Sequence, residues 1–288
     1  MQKPKPTAFK TKNEFQERPY YQPNLSCEAT ELDYIVGKYH FGREHEFQCG
    51  LNHCNQWHQI GFVIATKSGA ETHCGQKCGA NAFGVSWDEV EAEFKKQEDA
   101  MNRLTSLQNI QEEANATLKK CAELSSKCEP LANKIQKISL EISNEQAFKR
   151  ALDETIKLGG QIFGKAEQSE FMSDGVNKTV VIATIDGGEA MSTSVSIMRT
   201  LMYQVQRPLN EVLSKDLKTL SDKEIKAELA TLKNYTANLL QAETFINQAT
   251  RFTAVSNLKK IGLLINQLSK HSRTDRVHRI AAKICSIT

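Results

Sequence analysis

The 288-residue chain is poor in aromatic residues, at 7%, and in long apolar runs. Its longest apolar stretches hold four or five residues, as in Phe62-Val63-Ile64-Ala65 and Val180-Val181-Ile182-Ala183. A membrane-spanning helix needs about 20, so no membrane partner is expected. No apolar segment follows Met1-Gln2-Lys3-Pro4-Lys5-Pro6, which argues against a secretory signal and points to a cytoplasmic location. Motifs of hydrolytic and nucleotide chemistry are missing too: GxSxG, HExxH, H-x-E with P-C-x-x-C, G-x-x-x-x-G-K-[ST] and GxGxxG do not occur. What remains is ordinary, with 40% hydrophobic and 25% charged residues and a formal charge of +3.

Helix breakers divide the chain. Pro4, Pro6, Pro19 and Pro23, four of the six prolines, fall in the first 23 residues among Lys, Gln and Asn. Such a composition offers little apolar surface against the entropy of ordering, so residues 1–29 are expected to form a flexible tail or a strap over a partner. Eight of the fifteen glycines lie between Gly37 and Gly84, with five histidines and four cysteines. Residues 30–87 therefore read as a turn-rich, metal-centred module. From Val85 to Leu158, and again from Glu189 to Ile261, there is no glycine and one proline each, which reads as helix. The expected fold is mostly α, with an N-terminal β-hairpin zinc module. A coiled-coil-like arm (88–158), a Gly-containing insertion with one strand (159–195) and a helical body with a basic end (196–288) follow.

The densest chemical signal is Cys49-Gly-Leu-Asn-His-Cys54, nineteen intervening residues, then Cys74-Gly-Gln-Lys-Cys78. Two close cysteine pairs at that separation follow the spacing of a structural zinc site. The intervening Gln59–Thr66, Lys67-Ser68-Gly69 and Ala70–His73 read as strand, turn and strand, and Ser86-Trp87-Asp88-Glu89 as a capping box opening a helix. Over residues 47–90 this order resembles the treble-clef and zinc-ribbon class of four-cysteine modules, although its spacers of four and three exceed the usual two. Cys49, Cys54, Cys74 and Cys78 are the expected ligands of one structural Zn2+, with His53 or His58 in place of Cys54 as the alternative. Four thiolates close the coordination shell, which favours a structural over a catalytic ion.

From Leu107 a heptad stripe runs through Ala114, Cys121, Cys128, Ile135 and Ile142, supported by Ile110, Leu124, Leu131 and Ile138. That period is a coiled-coil or helical-hairpin signal, satisfied by helices of the same chain or by self-association through residues 88–158. Pro130 interrupts it, and a bend or reversal is expected near Lys127–Pro130. The strand Lys178–Ile185 is expected to pair with residues 189–195 or with a sheet edge of another chain. Asp186-Gly187-Gly188 reads as an ordinary turn. Aromatics around the cysteines, from Tyr39 to Trp87, read as core in preference to a nucleotide-stacking surface.

Residues 259–288 hold seven cations (Lys259, Lys260, Lys270, Arg273, Arg276, Arg279, Lys283) against Asp275 alone. This basic end is the candidate contact for nucleic acid or an acidic partner. Taken together, the chain reads as a zinc-stabilised binding and assembly protein. The alternative is an enzymatic effector, such as a metal-dependent nuclease or a toxin-like component of a larger complex.

Overall fold

A computed structural model describes residues 5–42, 46–165, 179–269, 279–280, 282–284 and 286–287. The chain forms two compact units, Met1–Ser106 and Leu107–Thr288. The fold is mostly α with a small β-rich region at the N-terminus. Among the described residues no helix is long and apolar enough to cross a membrane.

The first unit is built around a four-stranded sheet. Its strands are β1 (Thr7–Phe9), β2 (Leu32–His40), β5 (Ile60–Thr66) and β6 (Glu71–Gly75), in the order β1-β2-β5-β6. β1 runs parallel to β2, and the other neighbours are antiparallel. The expected hairpin forms, with Ala65 opposite Glu71 and Phe62 opposite Cys74 around a turn at Gly69. A short ribbon, β3 (Phe47–Gln48) with β4 (Trp57–His58), accompanies the sheet. Strand alternation sends Phe62 and Ile64 to one face and Val63 and Ala65 to the other. Both faces are covered, which is why β5 is an unbroken apolar run. On one side lie Phe83 of α2 (Gln76–Phe83) and Trp87 and Phe94 of α3 (Val85–Ser143). On the other lie Phe9, Phe15, Phe41 and Phe47.

The expected flexible tail is corrected here. Thr7–Phe9 adds a strand, and α1 (Asn13–Gln16) places Phe15 at 0% exposure, within ring contact of Tyr39, Phe47 and His73. Arg18 makes a two-pronged ion pair with the buried Glu71, and Tyr21 donates to or accepts from His73 Nδ1 at 2.7 Å. Three well-placed aromatics outweigh a polar average, because burial acts on individual side chains. The parallel approach of β1 also needs Gly37: a Cβ there would stand 2.2 Å from the Thr7 carbonyl oxygen.

Gly84, at φ +52°, ends α2, and α3 begins one residue before the expected Ser86. The first unit keeps this helix as far as Ser106, so its boundary lies beyond the 87/88 division read from composition. Pro130 does not reverse the chain. α3 continues through it, and the turn comes after Ser143, before α4 (Gln146–Lys157). Pro130 is exposed while Cys128, Ala132 and Ile135 are buried, so packing on both sides of the lost hydrogen bond carries the helix across it.

In the second unit the heptad stripe is buried throughout: Leu107, Ala114, Cys121, Cys128, Ile135 and Ile142 are each 2% exposed or less. Its cover is the chain's own helices: α5 (Ala190–Thr193), α6 (Ile197–Leu201), a π-helical turn Met202–Gln206, α7 (Arg207–Leu213), α8 (Asp222–Leu232), α9 (Tyr235–Phe252) and α10 (Val255–Ser269). Cys121 donates to the Leu201 carbonyl and Cys128 to that of Ala242, while Gln111 donates to Val212 and Lys215. The π turn sits just before Pro208, which lacks the N–H that would close an α turn onto Gln204. Ser221 and Glu224 form the reciprocal cap at the start of α8. The strand β8 (Thr179–Thr184) pairs with β7 (Gln161–Lys165), not with 189–195, which is helical. Six residues of β propensity preceding Gly-Gly gave no sign in sequence that the partner lay upstream.

Candidate metal centre

The centre lies in the first unit, where a knuckle after β3 meets the first turn of α2. Asn52, His53 and Asn55 all adopt positive φ, between 51° and 53°, a region that non-glycine residues seldom enter. This coiling turns backbone amides toward sulfur. The backbone amides of Leu51 and Gly75 favour the thiolate of Cys49, and that of Gln56 favours the thiolate of Cys54. The knuckle is held from behind by Asn52, whose side-chain amide accepts from Cys27 N–H at 2.8 Å and donates to Cys27 C=O at 3.1 Å.

Cys49, Cys54 and Cys78 bring their sulfurs within 4.8 Å of one another, Cys54 and Cys78 being 3.4 Å apart. A tetrahedral zinc with bonds of about 2.3 Å would set sulfurs about 3.8 Å apart, so the trio needs only small adjustments. Burial opposes the charged form of these groups. It is the largest cause raising Cys49, and it pushes the Cys78 thiol up to about 12, with its bond to Cys54 adding to the effect. Cys54 is less buried; burial still works against its thiolate, but the Gln56 amide and the neighbouring thiols outweigh it and lower its pKa. A bound cation reverses the balance for all three, because the thiolate is the ligand.

The fourth expected ligand stands apart. Cys74 is 0% exposed, yet its sulfur is not in the trio. It belongs to β6 and points into the core that also holds Phe62, Ile64, Cys49 and Cys78, and burial, with the neighbouring thiols, raises its own thiol well above the usual range. The three-residue spacer crosses from strand to helix, and of this pair Cys78 is the one whose sulfur lies in the 4.8 Å set. His53 does not take a ligand's place: it is exposed, and its Nε2 contacts Ser26 Oγ at 3.2 Å.

Beside the cluster is a cavity of about 380 Å³, lined by Gln56, Trp57, His58, Ile60, Lys77 and Cys78 among others. Most of the surrounding aromatics are core, as expected, but Trp57 is 63% exposed and Ile60 54%. Sequence reading grouped Trp57 with the core aromatics; its position on a two-residue strand between Gln56 and His58, outside any apolar alternation, was the available sign.

Two residues of the basic end are engaged within the chain. Lys260 donates to the Thr184 carbonyl at 2.8 Å and pairs with Asp186, and Lys283 pairs with Glu141 at 3.4 Å. Lys259 and Arg279 are exposed. Lys270, Arg273 and Arg276 lie outside the described residues. The Asp186-Gly187-Gly188 turn is structural: Asn257 donates to Asp186 C=O and accepts from its N–H, and Gly187 (φ +70°) packs on the α9 backbone. Compared with protein-family models, curated proteins and solved structures, the chain matches none.

Proposed function

We propose that this chain is a zinc-stabilised binding and assembly protein whose metal-centred head presents a recognition surface to a protein partner. The observation that carries the reading is the convergence of Cys49, Cys54 and Cys78 from the two limbs of a knuckle and the start of a helix. Ligands drawn from separate elements make metal binding a folding event for the segment that supplies them. The partner reading is supported by Trp57 and Ile60, large apolar side chains exposed beside a cavity, the kind of anchor on which interfaces concentrate their energy. Assembly is supported by the exposed Val180, Val181 and Ile182 of β8. Contact with nucleic acid has less support, since Lys260 and Lys283, among the described C-terminal cations, are engaged within the chain.

Elemental analysis of the purified full chain is expected to return about one zinc per chain, and sedimentation a mass above that of a monomer. Absence of zinc overturns the reading. A strictly monomeric chain removes the assembly half. Cleavage of DNA or RNA stimulated by added metal, and lost on His58→Ala, would favour the enzymatic alternative.

A further inference from the structure

Five of the eight cysteines meet at one core of the first unit: Cys49, Cys74 and Cys78 lie within it, and Cys27 and Cys54 pack against it. Their access to solvent differs. Cys74 is 0% exposed and Cys49 1%, so both are shut away from a dissolved reagent. Cys78 is covered nearly as well, and Cys54 alone of the thiol trio is only partly buried. Cys27 is partly buried too, but its sulfur lies outside the 4.8 Å set. Cys54 has a second sulfur directly against it: its Sγ and that of Cys78 are 3.4 Å apart, with no room for an atom between them. One sits at the end of the knuckle, beside Asn55 with its positive φ, and the other in the first turn of α2. A covalent bond between them would join knuckle to helix.

A metal holds its cysteines as thiolates, the form that attacks peroxides. We infer that Cys54 and Cys78 are a redox switch: hydrogen peroxide converts them to a disulfide and the metal is released. The inference rests on the metal reading of the trio, and it holds whichever group supplies the fourth ligand. Cys54 Sγ, the accessible sulfur, attacks one peroxide oxygen; an S–O bond forms, the O–O bond breaks and hydroxide leaves. Cys78 Sγ then attacks the Cys54 sulfur; the S–S bond forms, the S–O bond breaks and a second hydroxide leaves. Each hydroxide takes a proton from solvent. The two sulfurs together give two electrons to the peroxide, which ends as two waters, and Zn2+ leaves without change of oxidation state. Since the thiolate is the ligand, one disulfide removes two of the trio at once. The pair is also placed to affect recognition. Cys78 lines the cavity beside which Trp57 and Ile60 are exposed. Loss of the metal frees the Cys49 limb of the knuckle while the new bond ties the Cys54 limb to α2, so the surface offered to a partner changes with oxidation state.

The test uses the purified full chain, with its zinc content measured first. Titration with hydrogen peroxide in the presence of a chromogenic chelator is expected to release about one Zn2+ per peroxide consumed. A dithiol reductant with added Zn2+ should restore the bound metal. Trypsin cuts after Arg43, Lys67, Lys77 and Lys95, leaving Cys54 on peptide 44–67, Cys74 on 68–77 and Cys78 on 78–95. Mass spectrometry without reduction should find the first of these joined to the third, and fragmentation should place the bond at Cys54 in preference to Cys49. None of these measurements needs a variant to fold. A bond from Cys54 or Cys78 to any other cysteine, thiols left intact by excess peroxide, oxidation that stops at single sulfurs, or zinc retained after the disulfide forms overturns the switch while the metal reading stands. A chain that carries no zinc at the outset overturns the metal reading, and the switch with it.

Discussion

The two units solve the problem of stability differently. In the second, one helix offers a stripe from Leu107 to Ile142, and the chain's own helices cover it; the energy is spread over many equivalent apolar contacts. In the first, a sheet of four short strands divides two small cores, and the knuckle between Cys49 and Cys54 is coiled into three positive-φ residues that apolar packing alone does not select. The contrast teaches where each unit is vulnerable. A distributed core tolerates single losses, whereas a concentrated centre fails as a whole.

Removing the metal should separate the units most sharply. Chelation is expected to destabilise the first unit by on the order of 10 kcal/mol, as structural zinc does in small modules. Hydrogen exchange should show protection lost across residues 47–78 and kept across 107–142; equal loss in both would erase the distinction. Truncations come next. Phe15→Ala should cost about 3–5 kcal/mol and Ile135→Ala about 2–5 kcal/mol, each read as a fall in the melting of its own unit. If a chain lacking residues 1–22 melts like the full one, the N-terminal segment is not part of the core.

A smaller effect of opposite sign is expected at Pro130. Pro130→Ala restores the N–H that Ser126 C=O lacks, and should stabilise the second unit by about 1–2 kcal/mol in a denaturant titration. The smallest effect is with pH. Burial, and for His58 the neighbouring His73, lower both imidazoles, His58 to about 4. Unfolded histidines titrate near 6.5, so below that the unfolded state binds the extra protons. The first unit is therefore fully stable above about pH 6.5 and loses stability as pH falls toward 4, while the described part of the second unit holds no histidine. Proton-linked melting followed separately in each unit checks the difference.

Patterns repeated along the chain were legible in sequence. The heptad stripe, the hairpin across Gly69, the cap at Ser221 and three of the four cysteines follow from periods of 3.5 and 2 or from close spacing, and each is imposed by local geometry. What escaped had its cause elsewhere in the molecule. Phe9 and Phe15 disappear in a segment average dominated by Pro and Lys, although single rings decide its burial. Pro130 breaks a helix only when nothing holds both sides. Cys74 is separated from Cys78 by a change from strand to helix that spacing alone does not register.

Gly79 on α2 has no room for a side chain, because the indole of Trp87 lies over it; an added Cβ would meet Trp87 Cζ3 at 2.3 Å. The same indole donates to Glu91, which also accepts from Gln76 at the beginning of α2. The short helix bearing Cys78 is therefore seated by residues that follow the last cysteine of the cluster. A fragment cut at Gly84 would contain every sulfur and still lack the plate on which one of them is mounted, so the smallest autonomous piece must reach into the long helix at least as far as Phe94.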